Sequence, residues 1–131
     1  MKKLGRYYNR MATHGWPPTA HDEVMSMFLR SFIPPNKNYW TEVEVYDGTE
    51  MRRVDIVIED DNEGYTLIEV KSEPNEVDKA IGQILKYKVL FGERYDVSED
   101  KVSVGIVCPS FYPPHKQICN EIGIRLWEVQ P

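Results

Sequence analysis

Cysteine is scarce in this chain of 131 residues, which has only Cys108 and Cys119. Both lie in apolar segments, "GIVCP" and "KQICNEIG", and two cysteines do not make the framework of a disulfide-stabilised secreted domain. We therefore expect both to be reduced thiols in the core, and we expect the protein to be intracellular and cytoplasmic.

Long apolar runs are also missing. No segment approaches the roughly eighteen apolar residues that a membrane-spanning helix needs, so we expect no membrane partner. The first ten residues, "MKKLGRYYNR", lack the apolar block of a signal peptide. The sequence shows no repeats and no low-complexity tracts, and its length is that of one ordinary domain, 1–131.

Positive charge is outnumbered, since 16 basic residues face 21 acidic ones and the net charge is −5. The surface as a whole should therefore not attract nucleic acid. Basic residues still cluster in two places, the acid-free first ten residues and a later segment with Lys79, Lys86 and Lys88. We expect residues 1–18 to form an irregular basic segment.

Histidine shows no paired spacing. His14, His21 and His115 are far apart in the chain, whereas zinc sites typically use closely spaced ligands. We therefore expect these residues at surface or loop positions, and no zinc site.

Hydrophobic periodicity predicts an α/β domain, a mixed β-sheet flanked by helices in the order α-β-β-β-α-β-α-β. Asp47-Gly48 predicts a two-residue hairpin turn. The second helix should bury Val77, Ile81, Ile84, Leu85 and Val89, and leave Gln83 and Tyr87 off its apolar stripe. The predicted helices are 20–33, 76–91 and 112–121, and the predicted strands are 39–46, 50–59, 65–72, 101–109 and 124–129.

Charged residues interrupt two of these strands, in "VDIVIEDDNEGYTLIEVKS". A symmetric hairpin centred on Asn62 would set Asp55 opposite Glu69 and Arg53 opposite Lys71. Opposed side chains have Cβ atoms only ~4.5–5.5 Å apart, so the two carboxylates would repel each other. A divalent cation removes that repulsion, and magnesium typically takes one or two protein carboxylates.

This pattern predicts a hard-metal site at Asp55 and Glu69, with the carbonyl of Val70 as a third ligand. Lys71 would lie on the same face, where its ammonium could position an attacking water or hold a phosphate. The alternative is an edge strand on which Glu69 and Lys71 form an ion pair facing solvent.

Asp55…Glu69-Val70-Lys71, within helix–three strands–helix–strand, resembles the signature of the PD-(D/E)XK nuclease superfamily, whose fold is restriction-endonuclease-like. Gln83 and Tyr87 in "AIGQILKYK" resemble the Q-x-x-x-Y motif of the RecB-like branch. Holliday-junction resolvases add a glutamate from the first helix, for which Glu23 is the candidate and Asp22 the second. The resemblance covers residues 20–109, the expected nuclease core.

The resemblance implies a deoxyribonuclease dependent on Mg²⁺ or Mn²⁺, with Asp55, Glu69 and Lys71 as catalytic residues. Single-stranded or branched DNA would be the substrate, and a homodimer or a partner protein would assist. Val54 replaces the name-giving proline, and the basic surface of many resolvases is missing. The alternative is a catalytically silent nuclease-fold module that binds DNA or assembles with other proteins. The expected DNA contacts are Gln83, Tyr87, Arg53, Lys79 and Lys86.

Overall fold

A computed structural model of the protein describes residues 18–130 and shows the predicted order of elements. Single turns of 3-10 helix lie at Pro74–Glu76 and Glu99–Lys101. The helices are α1 (Ala20–Phe32), α2 (Val77–Tyr95) and α3 (Pro113–Ile122), and the strands are β1 (Tyr39–Tyr46), β2 (Met51–Glu59), β3 (Tyr65–Val70), β4 (Val102–Cys108) and β5 (Ile124–Glu128).

The five strands form one mixed sheet in the order β1-β2-β3-β4-β5. β1, β2 and β3 are antiparallel neighbours, whereas β4 runs parallel to both β3 and β5. Val57 pairs with Leu67 and Ile56 with Ile68, which confirms the predicted hairpin register. The mixed α/β architecture is likewise as expected.

α1 covers one face of the sheet. Thr19 and Asp22 form a capping box at its start, and the chain leaves the helix at Ile33 before two prolines. Its buried side chains, including Met25 and Phe28, pack against central strand residues such as Ile68.

α2 and α3 cover the opposite face, but the buried side of α2 differs from the expected one. Leu85 and Val89 are exposed. The buried stripe advances in steps of three and four residues through Val77, Ala80, Ile84, Tyr87 and Phe91. Counting aliphatic residues alone misplaced the stripe, because two aromatic rings supply its large side chains.

β1 bends in its middle at Glu42, whose φ of 54° lies in the left-handed region. The ladder with β2 pairs Thr41 with Ile56 and Val43 with Val54, and omits the Glu42 position between them. Ile56 packs among the buried residues between α1 and the sheet, whereas Val43 and Val54 pack among those between α2 and the sheet. The buried side chains of the hairpin therefore change from the α1 face to the α2 face of the sheet across this bend.

The hairpin end is fastened to α2. The Tyr95 hydroxyl donates to the Glu44 carbonyl at 2.8 Å, and the Lys86 ammonium lies 3.5 Å from the Asp47 carboxylate. The connection has four residues rather than the expected two, since Tyr46 pairs with Met51. One Asp47 oxygen accepts from both Thr49 and Glu50 at 2.7–2.9 Å, which stabilises the longer turn.

Both cysteines are buried and unpaired. Among residues 18–130, no helix is long and apolar enough to cross a membrane.

Candidate functional site

The candidate site forms where β2 and β3 separate. Their ladder ends at the pair Ile56 and Ile68. The backbone N–H of Asp55 then donates to Glu69 Oε1 at 3.3 Å, and the N–H of Val70 donates to Asp55 Oδ2 at 2.8 Å. Side-chain carboxylates thus accept the N–H groups at the point of separation, which brings Asp55 and Glu69 together as the hairpin register predicts.

Glu69 is in an unfavourable place for a charge. It is only 4% exposed, and burial followed by the negative charge of Asp55 raises the pKa of its carboxyl to about 8. The positive charges of Lys71 and His21 oppose this rise. Burial and the neighbouring charge of Asp55 therefore favour the protonated form of Glu69, and a further cation would favour the ionised form.

His21 also lies at this site, although its sequence position predicted only a surface or loop residue. Its Nε2 lies 3.2 Å from Asp55 Oδ2, and its Nδ1 lies 3.8 Å from the Asp22 carboxylate. The hydrogen bond to Asp55 raises the pKa of His21, although burial opposes that effect. Its place in the first turn of α1, beside the candidates Asp22 and Glu23, was the one available indication. It was overlooked because no second histidine stands nearby in the sequence.

His115 also departs from the expected surface or loop position. It is buried in the first turn of α3, where its Nε2 lies 2.7 Å from Asp78 Oδ1. His14 lies outside the described residues, as does most of the basic segment 1–18.

Glu23, the expected helix ligand, is exposed, and within residues 18–130 no hydrogen bond or ion pair joins it to Asp55 or Glu69. Val24, Met25 and Phe28 face the core, which turns Glu23 to the solvent side of α1. Asp22 is buried, and its carboxylate accepts from the Thr19 backbone at 3.0 Å.

Lys71 follows β3 directly. Its backbone N–H donates to the Val107 carbonyl at 2.8 Å, which keeps the chain against β4 for one residue past the strand. Its side chain is half-buried, and within the described part of the chain it forms no ion pair. The alternative interpretation, an edge strand on which Glu69 and Lys71 pair in solvent, is therefore wrong, since β3 is central and Glu69 is buried.

Arg53 is exposed on β2 opposite Glu44 of β1. The expected pairing of Arg53 with Lys71 is not formed, because the β2–β3 ladder ends at Ile56. Lys79 is exposed in the first turn of α2, and Lys86 is paired with Asp47.

Tyr87 is only 6% exposed, so the expectation that it lies off the apolar stripe is wrong. Burial, together with the charges of Glu69 and Asp55, raises the pKa of its hydroxyl. The structure thus places Tyr87 in the core, where the charges of the two carboxylates still act on its hydroxyl. Gln83 is half-buried one turn earlier, and its Oε1 is buried without a hydrogen-bond partner among the described residues.

Within residues 18–130, no group of three or more His, Cys, Asp or Glu side chains is already arranged to hold a metal ion. A metal here would need ligands besides these side chains, such as a backbone carbonyl, water or substrate oxygens.

No family model and no curated protein matches this chain. Solved structures do match it. A structure titled EndoMS-dsDNA2 complex has a TM-score of 0.60 and 21% identity, and the match covers 92% of this chain and 49% of that one. A repair endonuclease from Pyrococcus abyssi has a TM-score of 0.53 and 19% identity, with 70% and 37% covered.

These likenesses show the fold. This chain has the α/β fold of part of those two proteins, with a five-stranded mixed sheet and three helices. It spans about half of the matched EndoMS chain and just over a third of the Pyrococcus abyssi enzyme.

Proposed function

We propose that this chain is a metal-dependent deoxyribonuclease of the PD-(D/E)XK kind, which hydrolyses phosphodiester bonds in DNA. The observation that carries the proposal is the meeting of Asp55 and Glu69 where β2 and β3 separate, with the half-buried Lys71 next along the chain. The fold shared with a repair endonuclease and with EndoMS, which was solved as a complex with double-stranded DNA, supports the same interpretation.

The residues present fit a magnesium or manganese ion. Magnesium typically takes one or two carboxylates, keeps several waters and accepts substrate phosphate oxygens, so three preassembled acidic or histidine side chains are not required. Asp55 and Glu69 would hold the ion, with the carbonyl of Val70 as a third ligand. Burial and the charge of Asp55 raise the pKa of Glu69 to about 8 despite Lys71 and His21, and a bound divalent ion would favour the ionised form.

His21 would take the place on α1 that Glu23 was expected to fill. His21 Nε2 lies 3.2 Å from Asp55 Oδ2, so both side chains would be within reach of an ion held there. An imidazole ligand suits manganese better than magnesium, because magnesium prefers oxygen.

A bound ion would lower the pKa of a coordinated water and stabilise the charge that develops on the phosphoryl and leaving oxygens. Lys71 would orient the attacking water and offset negative charge in the transition state. Asp55 stays oriented through the hydrogen bond from the Val70 backbone, at 2.8 Å. Tyr87 would close the buried side of the site, while Gln83, Arg53, Lys79 and Lys86 would contact the DNA.

The test is a cleavage screen on labelled single-stranded, duplex, flap and four-way-junction DNA with Mg²⁺, Mn²⁺ or a chelator. Cleavage should require the metal and should disappear in Asp55→Asn. If the protein binds DNA yet cuts none of these substrates with either metal, it is the catalytically silent module instead. If it neither binds nor cuts DNA, the proposal is wrong.

A further inference from the structure

The two carboxylate oxygens of Asp22 have different surroundings. Oδ2 accepts a hydrogen bond from the Thr19 backbone N–H at 3.0 Å, as part of the capping box that begins α1. Oδ1 lies 3.8 Å from Nδ1 of His21. The Asp22 side chain is only 10% exposed, so the helix cap holds it against the protein with its second oxygen toward the imidazole.

His21 lies between two carboxylates, one at each ring nitrogen. Its Nε2 is 3.2 Å from Asp55 Oδ2, and its Nδ1 faces Asp22. Asp55 belongs to β2 and Asp22 to α1. The imidazole is therefore bounded on one side by the sheet and on the other by the start of its own helix.

An ion held by Asp55 would need the lone pair of His21 Nε2. A neutral imidazole carries one N–H, so the proton would then have to be on Nδ1, the nitrogen that faces Asp22. Histidines that bind metal ions usually donate this other N–H to a carboxylate, a carbonyl or water, which fixes the tautomer and the ring orientation. At 3.8 Å the separation is longer than a hydrogen bond, so Asp22 acts on the ring through its negative charge.

The position of His21 in the helix increases the need for such a charge. The peptide dipoles of a helix place partial positive charge at its first turn, where a bound cation is disfavoured. Asp22 and Glu23 are the acidic residues of that turn. Glu23 is exposed and its charge is screened by solvent, whereas Asp22 is buried beside the ring.

We propose that Asp22 is a positioning residue, which holds His21 in the orientation and tautomer that bind a metal ion through Nε2. This inference rests on the proposed function. It gives Asp22 a role different from that of a direct ligand, for which it was the second candidate on α1. Because Asp22 acts through His21, its effect on metal binding should disappear when the imidazole is removed.

The experiment measures the Mn²⁺ affinity of the whole chain without DNA, by titration calorimetry at physiological salt. Asp22→Asn should weaken Mn²⁺ binding about 10- to 100-fold, the range typical of removing the carboxylate partner of a metal-binding histidine. The amide oxygen can still accept from the Thr19 N–H, so the start of α1 is retained. In a His21→Ala background, the same substitution should change the affinity by no more than about two-fold.

Thr19→Ala is the matched control. It removes the hydroxyl that accepts from the Asp22 N–H, but it keeps the backbone N–H that holds the Asp22 carboxylate. This variant should lower the melting temperature and leave Mn²⁺ affinity unchanged. If Thr19→Ala loses as much affinity as Asp22→Asn does, the effect belongs to the stability of the helix start and the positioning role is wrong.

Two further results would overturn the inference. One is an Asp22→Asn protein that binds Mn²⁺ like the parent. The other is an equal loss with and without His21, which would mean that the Asp22 charge acts on the ion directly. A parent that binds Mn²⁺ and cleaves DNA keeps the proposed function in all these cases, whereas a parent that binds neither Mn²⁺ nor Mg²⁺ removes both proposals.

Discussion

Glu69 and His21 are two residues of the candidate site whose pKa values are raised by their surroundings. The pKa of Glu69 is raised to about 8 by burial and by Asp55, and that of His21 is raised by its hydrogen bond to Asp55. A raised pKa in the folded state means that folding retains a proton that the unfolded chain releases. Its stabilising effect is complete below the unfolded pKa and is lost as the pH rises through the folded value.

The metal-free protein should therefore lose stability between about pH 4.5 and pH 8 as Glu69 ionises, by at most about 1.4 kcal/mol per pH unit, and His21 should add to the loss above about pH 6.5. Glu69→Gln should flatten this dependence and raise the melting temperature at pH 8, because the amide carries no charge to bury. Glu73→Gln changes an exposed glutamate nearby and should leave the profile as it is. Calorimetric melts of the parent and both variants across this pH range measure the dependence. A parent whose stability rises toward pH 8 would contradict a raised pKa of Glu69.

Lys71 should matter for chemistry more than for metal binding. Lys71→Ala should retain metal affinity but lose cleavage about 100-fold or more, the order expected when one positioned charge is removed. Titration calorimetry and single-turnover cleavage measure the two effects separately. Lys37→Ala, which removes a lysine paired with Asp61 at the other end of the β2–β3 hairpin, should keep both. Near-parental cleavage by Lys71→Ala would show that the ammonium has another role.

At the scale of the element, the bend in β1 is the feature that departs from regular structure. Glu42 adopts a left-handed conformation within a strand, which glycine adopts without strain and other residues do not. At a regular strand position glycine instead makes the protein less stable than alanine does, because it increases the conformational entropy of the unfolded chain.

Comparing glycine with alanine at two positions isolates the backbone contribution, since both substitutions remove the same side chain. At Glu42, the glycine variant should be more stable than the alanine variant by about 1 kcal/mol. At Glu44, two residues on and without this φ, alanine should be the more stable by about 0.5–1 kcal/mol. Urea unfolding of the four variants measures both differences. The same order at both positions would mean that the bend relaxes.

The two motif residues on α2 should respond differently to truncation. Tyr87→Ala should cost about 3 kcal/mol or more, because it opens a cavity in the core, whereas Gln83→Ala should change stability little. Tyr87→Phe keeps the packing and tests the hydroxyl beside the carboxylates. Chemical denaturation gives the stability of each variant. A Tyr87→Ala protein as stable as the parent would place the ring outside the core.

For the whole molecule, a bound ion should act as a folding ligand. At ten to a hundred times its dissociation constant, it should stabilise the protein by roughly 1.4–2.7 kcal/mol, a shift in melting temperature of several degrees. The shift should be larger at pH 8 than at pH 6, because binding requires ionised Glu69.

Asp55→Asn removes one of the paired charges and should abolish the shift, while raising the metal-free melting temperature at pH 8. Manganese should stabilise the parent more than magnesium does, and His21→Ala should reduce that preference. Thermal melts with each ion measure these effects. Indifference of the parent to both ions at millimolar concentration would count heavily against the site.

The sequence predicted what local periodicity determines. Alternating apolar residues located the strands, and the polar segment around Asn62 set the register that joins Asp55 to Glu69. Prediction from the sequence failed where tertiary contacts determine the structure. Packing against the sheet selected Tyr87 over Leu85 for the inside of α2, and side-chain hydrogen bonds of Asp47 lengthened the hairpin turn. His21 reaches Asp55 across 34 residues of sequence, which no local pattern records.

The strand order has a consequence for how the chain assembles during synthesis. Because the strands lie in the sheet in the order in which they occur in the sequence, each one can add to an edge that its predecessor has already formed. Chains emerge amino terminus first, so the sheet can grow in one direction from β1 to β5. α1 is made before any of its packing partners, since its buried face needs residues of β2, β3 and β4. The helix that carries His21 can therefore complete its packing only after β4 has been made, although it precedes all five strands in the chain.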